Sequence, residues 1–132
     1  MIPDSLKQLL SHVDGHQRAT WEGRDVALFN MAWGEMVISL QGAQVLHFQP
    51  TNDTGWLWVT PTPQALPGAI RGGIPLCWPW FADERYADES PERNGPFHGL
   101  ARHAMWRLDA VDDHAEGIEV HLSPEECLHS QL

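Results

Sequence analysis

Residues 25–50, DVALFNMAWGEMVISLQGAQVLHFQP, contain three short apolar runs separated by two turn signals. The runs at 25–31, 35–41 and 43–50 are each about the length of one β-strand. The triplets WGE and QGA between them are glycine-containing turns of the kind that join antiparallel neighbours. The stretch therefore predicts a β-meander, in which each strand pairs with the next along the chain.

The strand pattern continues on both sides of this stretch. RATWEG at 18–23 ends in a Glu-Gly turn, and TGWLWVTP at 54–61 follows the turn TNDTG. Further along, HAMWRLDAV at 103–111 and GIEVHLS at 117–123 are joined by the polar segment DDHAE. These four segments are short, apolar or alternating, and bounded by turn residues, so they predict additional strands.

Residues 3–13, PDSLKQLLSHV, have helical rather than strand spacing. The apolar positions that recur at this spacing are Leu6, Leu9, Leu10 and Val13. Either Asp4 or Ser5 can act as the N-cap of a short opening helix. We therefore expect residues 1–132 to form one mainly β, antiparallel domain with a short N-terminal helix.

The segment from 69 to 102 interrupts the strand pattern. Pro75 and Pro79 lack the N–H groups that an interior strand needs. The acidic residues between 83 and 92 are typical of a solvated loop face. A long irregular excursion inside a compact domain usually has a function, so this segment is the first place to search for a site.

Charge and hydropathy exclude several partners. The chain has 8 Lys plus Arg against 18 Asp plus Glu, a formal net charge of −10. Nucleic acid is not an expected partner, because phosphate backbones are bound by basic patches. No run approaches the ~18 apolar residues of a membrane span, and the N-terminus lacks a signal-peptide pattern. We therefore expect a cytoplasmic protein without a membrane partner.

Cysteine and histidine positions argue against a disulfide framework and a metal site. Cys77 and Cys127 stand in unrelated contexts, which favours reduced thiols. His98 and His103 are five residues apart, and the chain has no Cys-x-x-Cys pair. No metal is predicted.

Three side chains of the excursion can bind an anion or a sugar. Arg71 precedes Gly72 and Gly73, whose missing side chains permit positive φ and let backbone N–H groups approach an anion closely. His98 and Arg102 lie at the other end, in FHGLAR, where an imidazole can hydrogen-bond a sugar hydroxyl. Simpler interpretations remain open, namely a turn arginine that pairs with a surface acid and a surface histidine.

Two tryptophans of the excursion also allow two interpretations. Trp78 and Trp80 can offer an aromatic face to a sugar ring or fill core volume. Each brings a large apolar surface, so core packing is the favoured interpretation.

Taken in chain order, ISLQGAQVLHFQP, WLWVTP, AIRGGIPLCWPWF and FHGLARHAMWRL closely resemble the hexose-6-phosphate mutarotases, or glucose-6-phosphate 1-epimerases, of the aldose 1-epimerase superfamily. The resemblance runs from about residue 20 to residue 122. It implies a galactose mutarotase-like antiparallel β-supersandwich. It also implies a cofactor-free isomerase that interconverts the α and β anomers of hexose 6-phosphates by general acid and base ring opening.

The same resemblance implies roles for particular residues. Arg71 and Arg102 are expected to contact the substrate, and His98 to lie in the same pocket as an orienting residue. The position before this histidine also contacts substrate in the family; here it is Phe97, whose side chain cannot form a hydrogen bond. Ala82 stands where the family has glycine, so a positive φ there would cost about 1 kcal/mol.

The resemblance covers only the N-terminal half of the family's length, and the family's general acid histidine and general base glutamate belong to the other half. We therefore expect substrate contacts without the catalytic pair, and assign no catalytic residue. A non-catalytic phosphosugar- or carbohydrate-binding module and an inactive truncated product are the alternatives. Half a sandwich would also expose an apolar face, which predicts self-association or a complementary chain.

Overall fold

A computed structural model describes residues 2–82 and 97–128 of the chain. Within these ranges the elements are α1 (Asp4–Ser11), β1 (Gly15–Trp21), β2 (Arg24–Met31), β3 (Gly34–Ser39), β4 (Gln44–Pro50), β5 (Trp106–His114) and β6 (Gly117–Pro124). The mainly β architecture with a short N-terminal helix is confirmed. The acidic face predicted between 83 and 92 lies outside the described residues.

The first four strands form one antiparallel sheet in the order β1-β2-β3-β4, which confirms the meander. The register pairs Leu28 with Val37 between β2 and β3, and Val37 with His47 between β3 and β4. Gly23 and Gly42 occupy the turns with φ of 78° and 79°, a conformation that glycine adopts without strain. The turn glycines thus fix which residues face each other across the sheet.

Strands β5 and β6 form a separate antiparallel pair. β5 begins at Trp106, three residues later than the strand predicted from residue 103. The preceding residues are used in a turn that meets the β3–β4 connection, where the Gly42 N–H donates to the Ala104 carbonyl at 2.7 Å. Gln41 and Met105 form a single antiparallel bridge at the same place.

The four-stranded sheet is covered on both faces. On one face Val26 and Leu28 of β2 pack with α1 and with the later segment that contains Val59 and Ile70. On the other face Ala27, Phe29 and Ile38 pack against apolar side chains of the β5–β6 pair. Double coverage explains why residues 26–29 of β2 are all apolar instead of alternating with polar residues.

The opening helix begins and ends within the predicted limits, but its predicted caps are wrong. Pro3 occupies the N-cap position, and no side chain caps the helix there. Ser5 instead accepts a hydrogen bond at 2.8 Å from the indole Nε1–H of Trp21, a residue that is 2% exposed. The hydroxyl satisfies a buried donor, which outweighs its use as a cap.

The strand predicted at 54–61 is wrong. In this segment pairing is limited to a single bridge between Val59 and Gly72. Trp56 and Trp58 are 62% and 57% exposed, and the core position favoured for Trp78 is also wrong, because this side chain is 44% exposed. Trp80 is half-buried.

The backbone beside residues 54–61 is the glycine-containing stretch 71–73. Its bends at Gly72 and Gly73 prevent a longer β-ladder with residues 54–61.

The described parts of the excursion, 69–82 and 97–102, contain no helix or strand, as predicted. They are held by single bridges between Val45 and Ile74 and between Trp78 and Gly99, besides the one at Gly72. No helix in the described ranges combines the length and the apolar character that crossing a bilayer requires.

Candidate functional site

His98 is locked to Ala82 by two reciprocal hydrogen bonds. The His98 N–H donates to the Ala82 carbonyl, and the Ala82 N–H donates to His98 Nδ1, each at 2.8 Å. Both residues have left-handed backbones, with φ of 63° for His98 and 62° for Ala82. The two parts of the excursion are therefore joined at the candidate site, and the positive φ considered for Ala82 is confirmed.

The His98 ring has one N–H donor and lies between two phenylalanine rings. Because Nδ1 accepts from Ala82, the neutral imidazole carries its proton on Nε2. The rings of Phe97 and Phe81 flank it, with centroids 3.9 Å and 4.6 Å from the imidazole centroid. Both phenylalanines are more than half exposed. This arrangement suits an Nε2–H that donates to a hydroxyl or ring oxygen of a sugar.

Arg102 is oriented by the same loop. Its Nη2 donates to the Phe97 carbonyl at 3.0 Å. Its Nε is buried and has no hydrogen-bond partner among the described residues. A half-buried guanidinium with donors left over is a suitable anchor for an oxyanion.

Arg71 is exposed, and its guanidinium forms no ion pair within residues 2–82 and 97–128. Its carbonyl accepts from the Thr60 N–H at 3.0 Å, and the Gly73 N–H donates to the Trp58 carbonyl at 2.8 Å. The backbone is thereby fixed, and no ion pair with a described residue occupies the side chain, as an anion-binding arginine requires.

The glycines after Arg71 have the positive φ predicted for them, 121° at Gly72 and 63° at Gly73. Their close approach is to the protein itself, however. A Cβ at Gly72 would lie 2.4 Å from the Trp58 carbonyl oxygen, and one at Gly73 would lie 2.2 Å from that of Val45. The missing side chains therefore let the arginine segment fit between residues 58–59 and β4.

The turn at residues 41–44 contacts both the segment that contains Arg71 and the segment that contains Arg102. We call it the QGAQ turn. Gln44 Nε2 donates to the carbonyls of Ile70 and Gly72 at 3.1 Å and 2.5 Å. At Gly42 a Cβ would lie 2.6 Å from the Arg102 carbonyl oxygen, so the two backbones touch. The QGAQ turn thus contacts the chain on both sides of Arg71 and at Arg102.

The QGAQ turn is itself braced by a buried arginine. Arg24 is 1% exposed, and its Nη1 donates to Gln41 Oε1 at 2.8 Å while Nη2 donates to the Gln64 carbonyl. Desolvation lowers the Arg24 pKa, and the nearby Glu22 carboxylate partly offsets this effect.

Gln41 connects this turn to the segment that precedes Arg71. Its Nε2 donates to the carbonyls of Pro67 and Gly68 at 3.0 Å and 3.1 Å. The chain leading to Arg71 is therefore held by buried side chains.

The structure groups the predicted residues into two sets. Phe97 contacts both His98 and Arg102 within one loop. Arg71 has no hydrogen bond or ring contact with them among the described residues, and the QGAQ turn is the physical link between the two sets. The turn itself was predicted, but its contacts with the arginine segments were not, although two glutamines in a largely apolar meander were a signal for them.

A cleft of about 720 Å³ lies beside the same loop, next to Gly99, Leu100 and His103. Its wall includes Glu125 and Glu126 and none of the four predicted substrate contacts. Two carboxylates disfavour a phosphate group electrostatically. This cleft therefore does not suit the anion that the arginines suit.

Metal-ligand residues converge at one exposed place among the described residues. The ligand atoms of Asp112, Glu119 and His121 lie within 4.8 Å of one another on the β5–β6 pair. All three are exposed, and His121 Nε2 lies 3.2 Å from Glu119 Oε2, so surface ion pairs account for the grouping.

His12 and His16 have the four-residue spacing of a helical metal-binding pair. Because α1 ends at Ser11, they do not share a helical face.

Comparison with known proteins places these residues in a family. The family model for aldose 1-epimerase matches residues 25–129. The curated "Putative glucose-6-phosphate 1-epimerase" of Escherichia coli is 37% identical over 81 residues, which are 61% of this chain and 26% of the relative. The Salmonella typhimurium protein of the same name is 36% identical over the same shares.

A solved structure shows the same fold. The crystal structure of a "putative mutarotase" from Salmonella typhimurium superimposes with a TM-score of 0.74 and 25% identity, covering 89% of this chain and 40% of that chain. The matched segment is thus about a quarter of the length of the curated relatives and less than half of the solved neighbour. The predicted galactose mutarotase-like antiparallel fold is confirmed. With a family model that matches most of its residues, the chain belongs to the aldose 1-epimerase family.

Proposed function

We propose that the chain provides the substrate-binding part of a hexose-6-phosphate 1-epimerase site. In this proposal Arg71 and Arg102 bind the charged and hydroxyl oxygens of the substrate, and His98 orients a sugar oxygen. Phe97 contacts the sugar through its ring. The observation that carries the proposal is the His98–Ala82 hydrogen bond, because it leaves Nε2–H as one directed donor on the loop that also bears Arg102.

The electrostatics support an anionic sugar. The chain carries a net charge of −10, yet the guanidinium of Arg71 is exposed and unpaired among the described residues. Arg102 uses Nη2 for the Phe97 carbonyl, and its guanidinium forms no ion pair in those ranges. Charge-assisted hydrogen bonds to phosphate are roughly twice as strong as neutral ones, so a phosphorylated hexose gains more than a neutral one.

Anomer exchange also needs proton transfer. A base removes the proton from the C1 hydroxyl and an acid protonates the ring oxygen; the ring opens, the C1–C2 bond rotates, and the ring closes again as the other anomer. Each positioned proton-transfer group typically contributes about 10²- to 10⁴-fold. His98 is proposed to orient rather than to supply both steps, since its Nδ1 is taken by Ala82. We therefore propose that the 132-residue chain binds substrate and accelerates the exchange little, without a cofactor and in the cytoplasm.

Exchange NMR on glucose 6-phosphate tests this proposal. We expect saturable changes in the substrate signals, lost in Arg102→Ala, with an α-to-β exchange rate close to that in buffer. Arg107→Ala is the matched control, because Arg107 is an exposed arginine whose side chain contacts Ser123 and Asp109 rather than the candidate site.

Three results separate the alternatives. A clear rate increase that Arg102→Ala abolishes would show that this chain has epimerase activity by itself. Binding without acceleration supports the substrate-binding part that we propose. An absence of both would contradict the proposal and identify the chain as an inactive product.

A further inference from the structure

Gln44 is a buried amide that holds the backbone on both sides of Arg71. Its side chain is almost fully buried, and it stands at the start of β4, paired with Ser39 of β3. Its Nε2 donates to the carbonyls of Ile70 and Gly72, the residues immediately before and after Arg71. One side chain from the sheet therefore holds the 70–71 and 72–73 peptide units, which bracket Arg71 in the chain.

Among the described residues, only the Gln44 amide donates a hydrogen bond to these two carbonyls. The Arg71 carbonyl is bonded separately to Thr60, and that contact remains if Gln44 is changed. Removing the Gln44 amide would leave the Ile70 carbonyl, on a residue that is 4% exposed, without its partner. Buried carbonyls without donors are unfavourable, so the segment would shift to find another partner.

A small shift of this backbone has a large effect at the end of the side chain. Arg71 is exposed and has no ion pair among the described residues, so within these ranges only its backbone contacts set the position of its guanidinium. The glycines that follow cannot resist a rotation by side-chain packing. The Gln44 amide is thus a side-chain contact through which the sheet helps to set the direction of Arg71, beside the backbone hydrogen bonds of residues 71, 73 and 74.

We propose that Gln44 is a positioning residue that holds Arg71 in place for the phosphate group of a sugar phosphate. The inference rests on the proposed function and extends it to a residue that touches no substrate. Gln44 contributes to phosphate binding only through its effect on the position of Arg71.

A double-mutant cycle on the full chain tests this proposal. The Kd for glucose 6-phosphate is measured by NMR titration for the unchanged chain, Arg71→Ala, Gln44→Met and the double variant. Methionine keeps the length and volume of glutamine and removes only the amide. We expect each single change to weaken binding by about tenfold, and the double variant to bind no more weakly than Arg71→Ala. Coupling of this kind indicates that the two residues act as a unit.

Asn30→Ala is the matched control for general destabilisation. Asn30 also donates from a side-chain amide to a backbone carbonyl, that of Val13, but it lies at the other end of the sheet. We expect it to lower stability and leave the Kd within about twofold of the unchanged chain. If Gln44→Met does not fold, Gln44→Asn replaces it in the same cycle, because it keeps a buried amide that is too short to reach both carbonyls.

The outcomes distinguish the inference from the function on which it rests. If the chain binds glucose 6-phosphate and Arg71→Ala weakens binding while the Gln44 variant does not, the positioning role is wrong and the function stands. An equal weakening by the Gln44 variant with and without Arg71 would also overturn the positioning role, because it would indicate a merely structural effect. No binding by the unchanged chain, or no effect of Arg71→Ala, would overturn the function and the inference together.

Discussion

The backbone of Gly42 lies directly against the backbone of Arg102. A Cβ at position 42 would approach the Arg102 carbonyl oxygen to 2.6 Å and its Cα to 3.1 Å. Both distances are to main-chain atoms, which cannot move aside as a flexible side chain can. The turn between β3 and β4 therefore sets the position of an arginine that lies 60 residues further along the chain.

Gly42→Ala is expected to destabilise the chain and to displace Arg102. The free energy of unfolding should fall by roughly 3 kcal/mol, because backbone strain and overpacking act together. Gly23→Ala is the matched control, since Gly23 has nearly the same φ, 78° against 79°, and no atom within 4 Å of the added Cβ. It should cost only about 1 kcal/mol. Equal losses in chemical denaturation would show that the contact with Arg102 is unimportant.

Ala82→Gly is expected to stabilise the chain. Ala82 has φ of 62°, which an L-residue adopts at a cost and glycine adopts freely. The free energy of unfolding should rise by about 1 kcal/mol, with the hydrogen bonds to His98 retained because they involve the backbone of residue 82.

Ala110→Gly serves as the comparison for that change. Ala110 is exposed in β5, where glycine should cost about 0.5–1 kcal/mol. The midpoints of urea denaturation should therefore move in opposite directions for the two variants. A lower midpoint for Ala82→Gly would mean that the left-handed backbone at Ala82 is not a source of strain.

Stability is expected to fall on mild acidification because of His47. Burial lowers the His47 pKa below its ordinary value of 6.5, while the hydrogen bond to Glu35 acts in the opposite direction. The His47 Nδ1 is buried without a partner in the described ranges, so adding a proton there is unfavourable. The unfolded chain then binds the proton more readily, and stability present above about pH 6.5 is lost as the pH falls toward the folded-state pKa.

Urea denaturation between pH 7.5 and pH 5.5 checks this prediction. His47→Gln should show a smaller loss of stability over that range than the unchanged chain. His114→Gln should keep the original pH dependence, because His114 is exposed in β5 and forms no ion pair among the described residues. The same slope for all three proteins would contradict a buried, neutral His47.

The parts of the fold that depend on contacts between neighbouring residues could be predicted from the sequence, and the parts that depend on distant contacts could not. The meander was predictable because its turns and short apolar strands are encoded by neighbouring residues. The strand expected at 54–61 failed because its neighbour, the segment with Gly72 and Gly73, lies more than ten residues away and bends at both glycines. Apolar alternation alone does not reveal a partner that cannot form a ladder.

The candidate site was predictable in part for the same reason. Arg71, His98 and Arg102 stand in distinctive motifs, and the resemblance to a known family gave them roles. The supports of the site were not predictable, since Gln44 reaches carbonyls 26 and 28 residues away. Phe81, whose ring flanks His98, was missed because only the folded chain brings it there.

The exposed apolar side chains lead to a prediction about association. Trp58 and Ile74 are each more than half exposed and lie on adjoining backbone, since Gly73 bonds to the Trp58 carbonyl and Ile74 bonds to the Val45 carbonyl. Contiguous exposed apolar surface commonly marks an interface. We expect the chain to self-associate at micromolar concentration, and Trp58→Ser with Ile74→Ser to shift it toward the monomer. A monomer by light scattering that unfolds cooperatively would contradict this expectation.

The most direct test of the central claim compares the binding of glucose 6-phosphate with that of glucose. If Arg71 and Arg102 form a site for a sugar phosphate, titration calorimetry should show saturable binding of glucose 6-phosphate and binding of glucose that is at least about tenfold weaker. Arg71→Ala with Arg102→Ala should remove this difference, while Arg107→Ala should keep it. Equal binding of the two sugars, or binding of neither, would contradict the claim.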